Sequence, residues 1–259
     1  MTPARSLPET AWIVGASSGI GAALAQALAR RGCRVVISAR RADACAAVAA
    51  ACPERIQVLP LDVTDADACT AATVEAERRL EGAPELVVFA AGAWQPMATE
   101  DFDAGVIRRI VEVNYIGAAN LLAALVPGCL ARGAGHIAVI ASVAGYRGLP
   151  RAAAYGPTKA ALINLCESLQ PDLARRNVRL RLVNPGFVAT PMTAANDFPM
   201  PFLLKAEDAA ERLLAGLTRS NRFEITFPKR FTWGLKLLRL LPYALFLRLM
   251  RRAGRHPDG

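Results

Sequence analysis

Three observations predict an α/β fold: a doubly wound parallel seven-stranded sheet with helices on both faces. Short aliphatic runs that are apolar on both sides recur along the chain, Ala- and Leu-rich stretches separate them, and a glycine-rich turn follows the first run. The first strand is AWIV at 11–14, and the helix after it, 20–31, is built almost wholly of Ala and Leu. RVVISA at 34–39 is the second strand, followed by an Ala-rich helix at 42–51. A short strand at 56–59 leads to a helix at 65–80, and LVVF at 86–89 leads to a long apolar helix at 104–132. The strand at 136–141, the helix at 152–176 and the strand at 179–183 continue the alternation, which closes with a helix at 206–218 and a strand at 223–227. Runs this short suit strands, and the longer stretches suit helices. Right-handed crossovers between parallel strands put ligands at the carboxyl ends of the strands.

A chain of 259 residues with 53% hydrophobic content can fill the core of one such domain. No internal repeat or low-complexity linker divides it, so one domain is expected over 1–227, with an appendage over 228–259. Residues 1–10 contain no apolar run, and a secretory leader is not expected. The six cysteines (Cys33, Cys45, Cys52, Cys69, Cys129 and Cys166) form no CxxC pair and no Cys/His metal spacing. They read as small core residues of a protein in a reducing cytoplasm. The only histidines, His136 and His256, have no suitable partners nearby in sequence. Histidine-based nucleophilic catalysis and zinc chemistry are therefore excluded, and no metal site is expected. The net charge of +9 is uneven: from Pro228 onward eight basic residues face one acid, Asp258, which leaves the body near neutrality. A nucleic-acid groove would spread basic and aromatic residues over that body; the sequence lacks the pattern, and no nucleic-acid partner is expected.

The first strand–helix turn reads Gly15-Ala16-Ser17-Ser18-Gly19-Ile20-Gly21, a GxxxGxG spacing. Its glycines allow a tight turn, the helix N-terminus offers N–H groups to a pyrophosphate, and Ser17 and Ser18 add hydroxyl donors. Alone this is an ordinary Gly/Ser turn; in a doubly wound chain it predicts a dinucleotide site. The second strand ends in Ser38-Ala39-Arg40-Arg41, with no acid before Asp43. An acid there would bind a ribose 2′-hydroxyl, whereas Arg40, assisted by Arg41, can fork to a 2′-phosphate. NADP(H) is therefore expected in preference to NAD(H). Asp62, in Leu61-Asp62-Val63, has two readings: a contact to the adenine amino group, or a turn-capping aspartate. Tyr155 and Lys159 stand four apart, one turn above each other on a helix. An ammonium so placed is expected to draw the phenol below its usual value of about 10, making it a proton donor and acceptor for a carbonyl–alcohol pair. Arginine could not substitute, because it holds its proton.

With Ser142 and Asn114 upstream, these residues resemble the short-chain dehydrogenase/reductase family in its single-domain form, over 11–227. The family's glycine motif maps onto Gly15, Gly19 and Gly21, and its catalytic residues onto Asn114, Ser142, Tyr155 and Lys159. The resemblance implies a Rossmann-type fold, a homodimer or homotetramer, and a small ketone, aldehyde or alcohol as substrate. Ser142 is implied to hold the substrate oxygen, Tyr155 to exchange its proton, Lys159 to hold the ribose hydroxyls, and Asn114 to position a water in a helix interrupted at Val113-Asn114-Tyr115. Asn114 also has a plain reading, as a buried asparagine satisfied by backbone. The segment Asn184-Pro185-Gly186-Phe187-Val188-Ala189-Thr190 matches the one that closes over the nicotinamide, with contacts from Val188 and Thr190. Further cofactor contacts are implied at Ile20, Val63, Ala91, Gly92, Pro185 and Gly186. Two departures stand out: Val14 where the family often has Thr, and Phe89-Ala90-Ala91-Gly92 where it has Asn-Asn-Ala-Gly. Both remove groups that brace the sheet and the cofactor floor. Two alternatives are a reductase of carrier-bound 3-oxoacyl groups, docking its carrier through Arg147 and Arg151, and a catalytically silent cofactor-binding scaffold at the membrane.

The tail segment 231–250, FTWGLKLLRLLPYALFLRLM, is long enough to cross a bilayer. Lys236, Arg239, Pro242 and Arg248 oppose spanning. A two-piece amphipathic helix broken at Pro242 is expected instead. Residues 228–256 then either lie on an anionic membrane surface, or pack over a neighbouring subunit or the substrate cleft.

Overall fold

The central strand, β1 (Thr10–Val14), is buried along its whole length, and its side chains divide between two cores. Ala11 and Ile13 enter one, Trp12 and Val14 the other, as the period-two alternation of a strand requires. The computed structural model describes residues 6–194 and 196–253. After β1 come α1 (Gly19–Ala29), β2 (Arg34–Ser38), α2 (Ala42–Ala49), β3 (Ile56–Val58), α3 (Ala66–Leu80) and β4 (Leu86–Phe89). Next are α4 (Ala104–Val111), a π-helical segment (Glu112–Ile116), α5 (Gly117–Arg132), β5 (Gly135–Ile140), a 3₁₀ turn (Val143–Gly145) and α6 (Gly156–Arg175). The chain continues through β6 (Val178–Pro185), β7 (Val188–Ala189), β8 (Leu204–Lys205), α7 (Ala206–Arg219), β9 (Glu224–Phe227), α8 (Lys229–Leu238) and α9 (Tyr243–Ala253).

The sheet has seven strands in the order β3-β2-β1-β4-β5-β6-β9, all pairs parallel. This is the Rossmann-type doubly wound sheet the sequence predicts. Helices α1, α2 and α7 cover one face; α3, α5 and α6 cover the other. The order reverses beside β1, so the carboxyl ends of β1 and β4 flank the crevice in which this topology binds ligands. The six cysteines are buried and unpaired. Burial pushes the Cys33 and Cys166 thiols up to about 12, which makes them poor nucleophiles.

Two elements differ informatively from expectation. The helix expected from 152 starts only at Gly156, because the preceding residues are held elsewhere. Arg151 has φ of 60°, its carbonyl accepts from the Met97 N–H at 3.0 Å, and Ala152 bridges to Met97. The 29-residue run Ala104–Arg132 contains an 18-residue window of mean hydropathy 1.5 and is by length and composition long and apolar enough to span a membrane, yet it lies against the sheet. It is interrupted at the expected place, by a π turn centred on Asn114.

The tail forms two helices separated at Pro242. They lie on the chain's own body: the Phe231 ring sits 5.6 Å from that of Phe187. Arg255, His256 and Asp258 lie outside the described residues.

Candidate active site

A cavity of about 610 Å³ opens at the carboxyl ends of β1, β4, β5 and β6, a volume that suits a small organic ligand. Its floor is made by β1 running into Gly15, whose φ of +92° and contact with the Ala90–Ala91 backbone no side chain could share. Gly19 (φ +60°) opens α1 against Thr190. The first turn of α1 is left without a protein anion: Ser18 makes no side-chain cap bond and no acid follows it. By contrast, Asp65 and Asp103 cap α3 and α4. An uncapped N-terminus facing a cavity, with glycines beneath it, fits the pyrophosphate of a dinucleotide. Arg40 and Arg41 line one end of this cavity, and Arg41 reaches Ser17 Oγ at 3.4 Å.

All of the sequence-predicted cofactor contacts line this one cavity: the glycine turn with Ser17, Ser18 and Ile20; Asp62 and Val63; Ala91 and Gly92; and Pro185, Gly186, Val188 and Thr190. Asp62 also accepts from the Thr64 backbone N–H at 3.0 Å and its hydroxyl at 2.8 Å, so the turn-capping reading holds as a structural fact. Thr190 is tied to Thr193, whose hydroxyl donates to the Val188 carbonyl at 2.7 Å. Near the two departures at Val14 and Ala90, a buried bond runs from Trp12 Nε1 to Ser38 Oγ at 2.9 Å, and the Ala90 N–H donates to the Val14 carbonyl at 2.6 Å.

Ser142, Tyr155 and Lys159 line the same cavity. Ser142 leaves β5 as the cap of the 3₁₀ turn, its Oγ accepting from the Ala144 N–H at 3.1 Å, which leaves its own proton to face the Tyr155 oxygen. Tyr155 stands at the start of α6, which places Lys159 one turn further on. The expected lowering of the phenol by the ammonium is not what the structure displays. Lys159 Nζ lies 5.4 Å from the Tyr155 ring centre and donates to the Ile140 carbonyl at 3.0 Å. Burial governs both groups: it pushes Tyr155 up to about 12, against the hydrogen bond with Ser142, which works the other way. It pulls Lys159 down to about 8. In this environment the phenol holds its proton at neutral pH while the ammonium titrates close to it.

Asn114 is fully buried and stands behind the cavity wall. Its Oδ1 accepts from the Ala93 N–H at 2.6 Å, and its Nδ2 donates to the Ala93 carbonyl at 3.1 Å and to Thr158 Oγ1 at 3.0 Å. The plain reading of a backbone-satisfied asparagine is thus met, and the π turn is what aims the side chain at both partners.

Sequence reasoning missed several neighbours. Trp94 meets the Tyr155 ring edge-on at 5.0 Å and is fixed by Asn196 Oδ1 at 2.8 Å. Phe187, Phe198, Phe202 and Phe231 form a chain of ring contacts. The Glu224 carboxylate gathers Tyr146, Asn184 and Lys236. Trp94, two residues after Gly92 in a polar loop, carried a signal; the others meet only in three dimensions. The two arginines expected as carrier-docking candidates are occupied. Arg147 donates to the Leu238, Arg239 and Leu241 carbonyls, and Arg151 pairs with Asp197 at 2.6 Å.

The short chain dehydrogenase family matches residues 9–198. A protein of Myxococcus xanthus named "Uncharacterized oxidoreductase" is 39% identical over 250 residues, covering 94% of this chain and 97% of its own. A short-chain dehydrogenase from Streptomyces avermitilis superposes with a TM-score of 0.80 at 25% identity, over 94% of this chain and 96% of its own. A short chain dehydrogenase from Burkholderia cenocepacia, solved in complex with NADP, also gives 0.80, at 27% identity over 93% and 97%. Together with the cavity described above, these matches establish that the chain belongs to the short chain dehydrogenase family and is an oxidoreductase.

Proposed function

We propose that this protein is an NADP(H)-dependent oxidoreductase that interconverts a hydrophobic ketone or aldehyde with its alcohol, Tyr155 serving as general acid and base. The observation that carries the reading is the meeting of Ser142, Tyr155 and Lys159 on one wall of a cavity whose other end is lined by Arg40 and the glycine turn. The nicotinamide, when bound, supplies or accepts the hydride. Ser142 donates to the substrate oxygen and holds it beside Tyr155. Tyr155, protonated at neutral pH, gives that oxygen its proton in reduction and recovers it in oxidation. Lys159 holds the ribose hydroxyls and carries protons, a role suited to an amine drawn to about 8. Asn114 braces the Ala93 loop against α6 and, through the remaining acceptor capacity of Oδ1, positions a water toward Lys159. Trp94, which lines the cavity beside Tyr155, favours an apolar substrate.

The preference for NADP(H) rests on Arg40, on the absence of an acid between the end of β2 and Asp43, and on the NADP complex of the Burkholderia relative. We take residues 1–227 as the catalytic unit, 228–259 as an appendage, the working form as a homodimer or homotetramer, and the cytoplasm as its place. The engaged state of Arg147 and Arg151 disfavours a carrier-bound acyl substrate.

NADPH oxidation by wild type and Tyr155→Phe, assayed on aliphatic, aromatic and acyl-thioester ketones, tests the chemistry. The variant is expected to bind NADPH normally and to turn over nothing; turnover at the wild-type rate refutes the mechanism. Titration of both cofactors tests the preference. Arg40→Ala removes a charge-assisted bond and is expected to weaken NADPH binding roughly ten- to a hundredfold, leaving NADH unaffected.

A further inference from the structure

Helix α8 carries apolar side chains on two faces: Phe231 and Leu235 pack inward against the core, and a second apolar stripe faces away from it. Thr232 and Lys236, four residues apart and therefore on one face, turn toward the body: Thr232 is completely buried and Lys236 is paired with Glu224. Arg239, three residues on, reaches the Tyr146 ring at 5.8 Å. The stripe one residue further along carries Trp233, Leu237 and Leu240, and these are 63%, 62% and 79% exposed. A surface helix ordinarily has one apolar face; here a second one is left exposed. The ion pair, together with the clamp of Arg147 on the carbonyls of Leu238, Arg239 and Leu241, fixes this orientation. Rolling the apolar stripe inward would break both.

Helix α9 follows after Pro242. Phe246 is buried and stacked 4.0 Å from the Arg147 guanidinium, while Tyr243, Leu245, Leu247 and Leu249 are exposed. Exposed cations rim the apolar area: Lys229 and Arg230 on α8, Arg248 and Arg251 on α9. No acid occurs between Pro228 and Ala253.

We infer that this face docks on an anionic lipid bilayer, with Trp233, Leu237, Leu240 and Tyr243 entering the interface and the rim cations meeting the headgroups. Charge decides the occupant. A second copy set face to face would press one cationic rim against another, with no carboxylate in the helices to answer it. An anionic bilayer supplies both the apolar depth and the opposite charge, and Trp and Tyr are the side chains that settle at that boundary. The inference does not depend on the reaction proposed above.

The experiment is co-sedimentation of the full chain with vesicles of phosphatidylcholine alone, or of phosphatidylcholine with phosphatidylglycerol, at low and high salt. Wild type is expected to follow the phosphatidylglycerol vesicles and to be partly released by salt. Each cation near an anionic surface contributes a factor of about five, so Arg230→Gln with Arg248→Gln is expected to weaken binding roughly twentyfold. Trp233→Gln with Leu237→Gln is expected to weaken it at least about tenfold. Thermal unfolding and NADPH titration should be unchanged in both double variants, since all four side chains are exposed and lie outside the cavity. The inference is overturned if wild type stays in solution with the anionic vesicles, or if either double variant binds as wild type does. It is equally overturned if the protein is a dimer in solution that Trp233→Gln with Leu237→Gln dissociates, because the face would then belong to a second copy.

Discussion

Two of the four lysines in this chain turn inward, and the molecule treats them in opposite ways. Lys159, on α6, is buried with no carboxylate partner; its ammonium rests on the Ile140 carbonyl, 3.0 Å away, and burial draws it down to about 8. Lys236, on α8, meets the Glu224 carboxylate, which also takes Tyr146 and Asn184. Burial works to raise Glu224, but the bonds from Lys236, Tyr146 and Asn184 together hold it below the usual carboxylate range. An unneutralised cation facing a cavity costs stability and is ready for chemistry. A neutralised cation under a helix holds that helix in place. The contrast separates a reactive group from a fastening one without reference to their distance from the cleft.

The comparison is sharpest at Lys159→Met. Turnover is expected to fall about a hundred- to ten-thousandfold, the usual contribution of a positioned proton carrier, while the fold gains about 1–2 kcal/mol at pH 7. The sign follows from linkage. The folded pKa lies below the unfolded one, so the penalty of the buried charge is complete below about 8 and disappears as pH rises toward about 10.4. Denaturant unfolding of both proteins at pH 7 and pH 10 checks this; a variant equally destabilised at both would mean that Lys159 is a fastening residue like Lys236.

Lys236→Met should act in the reverse sense, leaving turnover within a few-fold of wild type and destabilising by about 1–2 kcal/mol, discounted because the pair is partly exposed. The corresponding fall in Tm is a few degrees, about 2–4 °C per kcal/mol for a chain of this size.

The smallest effect concerns pH. Because Glu224 is lowered in the folded state, its contribution is present above its unfolded value of about 4.3 and is lost as pH falls through the folded one. Wild type should therefore lose more stability than Glu224→Gln between about pH 5 and pH 3. Parallel acid unfolding curves would remove the fastening role.

Much of this was legible in the chain. Strands apolar on both faces, such as AWIV and LVVF, announce a sheet covered on two sides, and the seven strands lie within two residues of their expected limits. The Asn114 interruption was expected as well, from the resemblance to the short-chain dehydrogenase family. The start of α6 was not, since Arg151 and Ala152 are drawn to Met97, more than fifty positions away.

By itself the sequence determined the layer order, the glycine turn, the residues that gather at the cavity and the two-piece tail, because each follows from local periodicity or from fixed spacing along one element. Only the tertiary structure decided the protonation of Tyr155, the occupied state of Arg147 and Arg151, and the direction in which α8 faces. These depend on desolvation and on partners from remote segments: Glu224 reaches back to Tyr146, and Arg147 reaches forward to the end of α8. Helical periodicity fixes which residues share a face; the core contacts of Phe231 and Leu235 and the ion pair of Lys236 with Glu224 hold which face turns inward.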